Sequence, residues 1–330
     1  MSKKKVSLIT TERNEAGAIK EFLESALNQS RKPDEIVIAD AASNDDTVDI
    51  INEYAKQYPQ IRLVNAPGNR SVGRNAAIEA AQNEVIAVTD VGCRLDPDWL
   101  KNITNPFETA GVEVVSGMFK PEPKTSFERI STDLMLQSNQ KIDVATWLPS
   151  SRSIAFTKTA WEKAGRYPEY EEFGNATVAR LCGGEDTLYD LNLRKAGYTF
   201  HDGLAGVVYW RPRPNLVEFF RQYKMYSTGD GIRMVDHKHF TRLTIRWLLT
   251  AAVLVASLAI LPLLAVLPLA ITAYNVGRRI MQPWRQSQSG VTGLVTMAVL
   301  IMVYDWAQII GYWIGVYHRT KLPADKRITF

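Results

Sequence analysis

Short apolar runs alternate with helical stripes along the first third of the chain. Val6-Ser7-Leu8-Ile9 predicts a strand, and Ile19, Phe22, Leu23, Ala26 and Leu27 then recur on one helical face. The unit repeats: Glu35-Ile36-Val37-Ile38-Ala39 is a second strand, and Val48, Ile50, Ile51 and Tyr54 line the next helix. Ile61-Arg62-Leu63-Val64 predicts a third strand, Ala76 to Ala81 a helix, and Val85-Ile86-Ala87-Val88-Thr89 a fourth strand ending at Asp90. Such alternation implies an α/β domain with a mainly parallel sheet and right-handed crossovers. After Asp90 the rhythm breaks: a strand-like run covers Val112 to Met118, and 121–149 has no clear strand pattern.

Two apolar stretches near the other end read differently. Between Arg246 and Arg278 lie 31 residues without a formal charge, interrupted by Pro262 and Pro268, and Val291 to Tyr317 holds one acid, Asp305. Both exceed what is needed to cross a hydrocarbon core of roughly 30 Å. Buried helices of a soluble domain are the plainer alternative. The expected organisation is a catalytic domain over 1–215, an interfacial helix and linker over 216–245, and a membrane region of two to four hydrophobic helices over 246–330. Arg278, Arg279 and Arg285 compete with Arg319, Lys321, Lys326 and Arg327 for the inner side, so the number of passes stays open.

Charge sharpens this division. Residues 243–330 carry eight Lys/Arg and two Asp/Glu, leaving 31 basic against 33 acidic residues elsewhere. A nearly neutral first part lacks the concentrated basic face that nucleic acid requires. Cys93 and Cys182 stand far apart without a CxxC or a His-rich pattern, which argues against a zinc site or a disulfide framework. The basic start, Met1 to Lys5, precedes an apolar run too short for a signal peptide, so the domain is expected in the cytoplasm.

Every predicted strand feeds a polar segment on the same edge: Thr10-Thr11-Glu12-Arg13-Asn14-Glu15, Asp40 to Thr47, Gly68 to Asn75, and Asp90. In a parallel sheet these segments converge on one crevice. Each could serve only to cap a helix. Together they offer acids and amides for base and ribose, cations at Arg70 and Arg74 for phosphates, and a carboxylate at Asp90 for a divalent metal. No P-loop and no dinucleotide fingerprint occurs. Farther on, Gly183-Gly184-Glu185-Asp186 opens a helical run closed by Gly197; read alone, the acids complement a helix dipole.

Thr-x-Arg-Asn-Glu after the first strand, Asp40 with Ser43 and Asp45-Asp46-Thr47, Arg74-Asn75 and the strand-terminal Asp90 together resemble glycosyltransferase family 2, over roughly residues 5–230. The resemblance implies a GT-A (Rossmann-like) fold and an inverting, nucleotide-sugar-dependent transfer. It implies donor contacts from Thr10, Thr11, Glu12, Asn14, Asp40 and Asn75, with Asp40 on the base and Arg70 and Arg74 on the diphosphate. Asp90 matches the first acid of the family's D-x-D motif, which holds Mg²⁺ or Mn²⁺, but Gly92 replaces the second. Asp186 matches the catalytic base, with Glu185 beside it. Arg211 and Arg213 are expected either to neutralise the leaving diphosphate or to hold a turn. Gln222 is what remains of a Q-x-x-R-W motif in which Met225 and Tyr226 replace Arg and Trp, a departure from processive members.

The expected activity is transfer of a sugar to a lipid-linked or cell-envelope glycan acceptor, by a multi-pass membrane protein whose catalytic domain faces the cytoplasm and contacts membrane lipids. Gly92 keeps a second possibility open, a noncatalytic membrane adaptor binding a nucleotide or a partner synthase. The intact Glu185-Asp186 pair argues against it.

Overall fold

The computed structural model describes residues 4–136, 142–169, 183–260, 265–287, 289–322 and 327. The chain divides into two compact units: 1–122 with 141–180 and 185–211, and 123–140 with 181–184 and 212–330. The described residues 123–136, which the sequence alone assigns to the catalytic domain, fall in the second unit.

The first unit is built on eight strands: β1 (Val6–Glu12), β2 (Glu35–Asp40), β3 (Ile61–Asn65), β4 (Val85–Val88), β5 (Cys93–Leu95), β6 (Val114–Pro121), β7 (Ile154–Thr157) and β8 (Phe200–Trp210). Their order is β3-β2-β1-β4-β7-β6-β8-β5. The four predicted strands form its parallel part. Beyond β4 the sheet turns mixed: β7 is antiparallel to both β4 and β6, β8 is parallel to β6, and β5 is antiparallel to β8. Six of the eight strands nevertheless run in one direction, so the sheet is mainly parallel as expected; β7 is reversed because the connection from β6 re-enters the sheet at the edge where β6 ends rather than by a βαβ crossover.

Helices α1 (Ile19–Leu27), α2 (Thr47–Gln57), α3 (Arg70–Ala80) and α4 (Trp99–Thr104) follow in order, then α5 (Ser126–Met135) in the second unit, then α6 (Lys158–Lys163) and α7 (Glu185–Lys195). Strand β2 is buried along its whole length, as expected of a sheet covered on both faces. On one face Leu8, Ile36 and Ile38 pack with Phe22 and Leu23 of α1 and Trp99 and Leu100 of α4. On the other, Ile9, Val37 and Val88 pack with Ala77 and Ile78 of α3, Trp161 of α6 and Tyr189 and Leu193 of α7.

Two predicted loops are shorter than expected. Strand β1 runs on through Thr10, Thr11 and Glu12, whose partners in β2 extend to Asp40. Helix α3 begins at Arg70 rather than near Ala76, because Asn69 Oδ1 caps it by accepting from the Val72 N–H at 3.1 Å. A glycine makes this placement possible: a Cβ on Gly73 would lie 2.0 Å from Thr11 Oγ1, so α3 rests directly on the end of β1.

The second unit is helical: α5, α8 (Leu216–Arg233), α9 (His237–Ile260), α10 (Val266–Ser287) and α11 (Gly290–Thr320). Glycines let α8 and α11 approach closely, since a Cβ on Gly231, Gly311 or Gly315 would stand 2.1–2.3 Å from the carbonyl oxygen of Tyr312, Lys224 or Thr228. The expected 216–245 linker is α8, a left-handed Met234 and the first turns of α9. The uncharged 247–277 stretch is divided between α9 and α10, with Pro268 in the first turn of α10, and Pro262 lies outside the described residues. By length and composition, 237–257 of α9 and the whole of α11 could each cross a membrane.

Candidate active site

The polar residues at the carboxyl edge of the parallel strands form two clusters within the first unit. At the first, Glu12 and Asp40 are register partners on β1 and β2, and both are buried. Asp40 accepts from the N–H groups of Ala42 and Ser43, each at 3.1 Å. Ser43 Oγ donates to Glu12 Oε2 at 3.1 Å. Burial, then the Asp40 carboxylate beside it, pushes the Glu12 pKa up from 4.5 to about 8, whereas these donors carry Asp40 below its usual range against the effect of burial. A raised Glu12 beside a lowered Asp40 makes Glu12 the member of the pair that favours the protonated form.

The two loops behind it are stitched together. The Asn14 N–H donates to Ser43 Oγ, Asn14 Oδ1 accepts from the Asn44 N–H, and both bonds are 2.9 Å long. Asn14 takes a left-handed φ of 56°, which Asn tolerates better than most residues. Thr11, half-buried, donates its hydroxyl to the Ala39 carbonyl, while Thr10 is wholly buried with an unbonded Oγ1.

The second cluster centres on Arg74. This guanidinium is 2% exposed and forks between two acids, Nη2 to Asp90 Oδ1 and Nη1 to Glu185 Oε1, each at 2.9 Å. Burial works against the charge of both acids, and Arg74 outweighs it, so both pKa values fall below the usual range. Asp186 behaves oppositely. Burial, then the neighbouring Glu185 charge, raises its pKa. Its Oδ2 accepts from Ser150 Oγ at 3.1 Å and its Oδ1 from the Thr187 N–H at 2.9 Å. A carboxylate held in place and made more basic is suited to accept a proton.

Arg74 thus has both terminal nitrogens engaged. The cations bearing on Asp90 from more open positions are Arg70, exposed at the start of α3, and Arg152, whose Nε stands 4.0 Å from Asp90 Oδ2. Asn75 makes all four hydrogen bonds an amide can make: it donates to the Tyr167 carbonyl and Glu169 Oε1 and accepts from Trp161 Nε1 and the Tyr167 N–H. Its side chain is occupied in holding the segment after α6. Arg211 is exposed at the end of the first unit. Arg213 and Gln222 belong to the second unit, where Arg213 Nε donates to Gln222 Oε1 at 3.2 Å and Gln222 Nε2 to the Tyr226 hydroxyl at 2.9 Å.

Three further residues escaped the sequence reasoning. Arg152 donates to Ser150 Oγ at 3.1 Å, and its guanidinium lies over the rings of Phe119 and Trp210. Ser150 in turn holds Asp186, and Asp190, one turn along α7, is buried with its pKa pushed well above the usual range by burial and by Asp186. The available signal was the polar run Ser150-Ser151-Arg152-Ser153 at the entry to β7. Cys93 is buried and its thiol is pushed up to about 12, so it is inert; Cys182 lies outside the described residues.

No group of three or more acids, histidines or cysteines able to hold a metal exists among the described residues. Asp90 nonetheless fits a metal that brings its other ligands with it. Its side chain is 31% exposed, Oδ2 is not taken by Arg74, and open space surrounds the Cβ position of Gly92.

An α/β sheet with an acid at the end of β4 and, at the start of α7, a buried Glu185 beside a half-buried Asp186 has the layout of an open α/β fold whose ligand crevice lies at the carboxyl ends of its strands. Residues 7–168 match the model described as Glycosyl transferase family 2, so the chain carries a glycosyltransferase domain of that family. It is 24% identical over 235 residues to Glycosyltransferase AglE of Haloferax volcanii, covering 68% of this chain and 72% of that one. It is also 24% identical over 326 residues to the Succinoglycan biosynthesis protein ExoA of Rhizobium meliloti, covering 91% of each. Among solved structures, the mannosyltransferase PcManGT of Pyrobaculum calidifontis, in complex with GDP-Man and Mn²⁺, superposes with a TM-score of 0.58 at 21% identity, over 91% of this chain and 87% of that one. That likeness establishes a shared fold.

Proposed function

We propose that the protein is an inverting glycosyltransferase that moves a sugar from a nucleotide-diphosphate donor to a lipid-linked or cell-envelope glycan acceptor at the cytoplasmic face of the membrane. The observation that carries the proposal is the Arg74 fork, which ties the strand-end Asp90 and the acid pair Glu185-Asp186 into one cluster. The succinoglycan assignment of the Rhizobium relative supports an envelope acceptor, and the exposed apolar surfaces of α9 and α10 support membrane association.

In this reading Glu12, Asp40 and the loops tied by Asn14 receive the nucleoside, while Arg70 and Arg152 neutralise the diphosphate. A divalent metal, Mg²⁺ or Mn²⁺, would be held by Asp90 and the donor itself and would add positive charge where the leaving group gains negative charge. The acceptor hydroxyl attacks the anomeric carbon from the face opposite the nucleotide. Its proton passes to Asp186, whose raised pKa makes it a better base and whose orientation is set by Ser150. Glu185 stays ionised against Arg74 and keeps a negative charge next to the base.

Transfer by Asp186→Asn, measured beside donor affinity, tests the assignment. Loss of turnover with binding retained is expected, and an Asn variant that still turns over removes Asp186 as the base.

A further inference from the structure

The helical unit holds a charged cluster that sugar transfer does not use. Asp305 of α11, 2% exposed, accepts from Arg279 Nη1 at 2.7 and 2.9 Å, from Arg246 Nη2 at 2.9 Å and from Trp247 Nε1 at 3.1 Å. Two guanidiniums face one carboxylate, so the cluster carries a net positive charge. Neither cation is sealed in. Their side chains are 34% and 28% exposed, and with Thr250, Thr272 and Asn275 they line a cleft between α9 and α10. A guanidinium has five N–H donors, and most of those on Arg246 and Arg279 remain unused. A planar, multiply donating cation pair of this kind suits phosphate.

Apolar surface continues from the cleft on both helices. Leu248, Leu249, Val253, Val255 and Ile260 of α9 are exposed, as are Val266, Leu267, Leu269 and Ile271 of α10. Arg246 and Arg279 meet on Asp305, and Thr250 and Thr272 line the same cleft, so the apolar ends of the two helices lead away from the cluster in the same direction. Each uncharged leg, Trp247 to Ile260 and Val266 to Gly277, rises about 20 Å, well short of a core of roughly 30 Å. If these legs enter a bilayer in place of a full crossing by 237–257 or by α11, the charged cluster stays at their base, near the level of the headgroups.

We propose that the Arg246–Arg279–Asp305 cleft binds the phosphate of an anionic membrane lipid while the apolar legs of α9 and α10 insert beside its acyl chains. The inference rests on the membrane association proposed above. The test is flotation of the full-length, detergent-purified chain with vesicles of phosphatidylcholine, alone or with phosphatidic acid. The wild type should bind both, with a gain on the order of tenfold from phosphatidic acid, given about 1 kcal/mol for each basic residue at an anionic surface. Asn275→Asp puts a carboxylate into the cleft without touching the ion cluster, and its thermal unfolding in detergent reports retained folding. It should keep phosphatidylcholine binding and lose the gain, whereas Arg278→Gln, an exposed arginine outside the lining, should keep most of it. A gain that survives Asn275→Asp, or that Arg278→Gln abolishes equally, overturns the cleft assignment. Millimolar inorganic phosphate should compete for the same cleft and reduce the gain, and a gain that it leaves untouched overturns the cleft assignment. Absence of binding to any vesicle overturns the membrane reading itself, and binding to phosphatidylcholine without a gain overturns only the cleft.

Discussion

The two polar clusters at the edge of the parallel strands are built on opposite principles. Around Glu12 and Asp40, carboxyl groups accept from backbone N–H groups and a serine hydroxyl, Glu12 Oε1 is buried without a partner, and the Glu12 pKa is raised. Around Arg74, carboxylates are satisfied by cations, and the pKa values of Asp90 and Glu185 are lowered. The first arrangement needs only residues that follow each other along adjacent loops. The second needs a cation buried under a helix and an acid 111 positions away. A binding edge can be assembled from local turns, while a charge-separating edge has to be imposed by tertiary packing.

The largest effect should come from the ionic cluster. Asp186→Asn is expected to lower turnover by about a hundred- to ten-thousandfold, the usual range for a lost general base. A matching substitution at the other cluster, Asp40→Asn, should act mainly on donor affinity, and equal losses of turnover in the two variants would erase the distinction. Next in size, Arg74→Gln strands Asp90 and Glu185 in a poorly solvated position, and thermal unfolding should register a loss of about 3–5 kcal/mol. If the variant melts like the wild type, the fork contributes nothing to folding. Gly73→Ala drives a methyl group into Thr11 and should cost about 1–3 kcal/mol, displacing α3 and with it Arg74.

The smallest effect separates the clusters by pH. With its pKa raised from 4.5 to about 8, Glu12 contributes stability that is complete below about pH 4.5 and is lost as the pH climbs through 8. Glu185, held below the usual range, contributes in the opposite sense, and its share disappears as the medium becomes acid. Melting temperatures of Glu12→Gln across pH 5–9 should lie flatter than those of the wild type; parallel curves would mean that the Glu12 pKa is not raised.

Legibility followed the same division. Strands β1 to β4 were readable because each is a compact apolar run closed by polar residues, and Asp40, Asp90 and the Glu185-Asp186 pair stood out as acids at element ends. Residues 70–75 were expected as loop because Ser, Gly and Asn are weak helix signals, and the Asn69 cap together with packing on β1 overrode that preference. Strand β8, with glycines at 203 and 206, and the four-residue β7 were missed, since pairing rather than periodicity defines them. Arg152 was invisible for the same reason: nothing in its neighbourhood along the chain reveals Asp90.

The separation of Arg74 from Glu185 also matters for how the polypeptide is made. The ribosome delivers Arg74 and Asp90 together, but Glu185 only after a further 95 residues, so α3 can dock on β1 while its guanidinium has a single counterion. A nascent chain that stalls before α7 would keep Arg74 neutralised by Asp90 but with Nη1 lacking its acceptor under the first completed layer, an intermediate prone to misassembly and open to proteases until synthesis supplies the second acid.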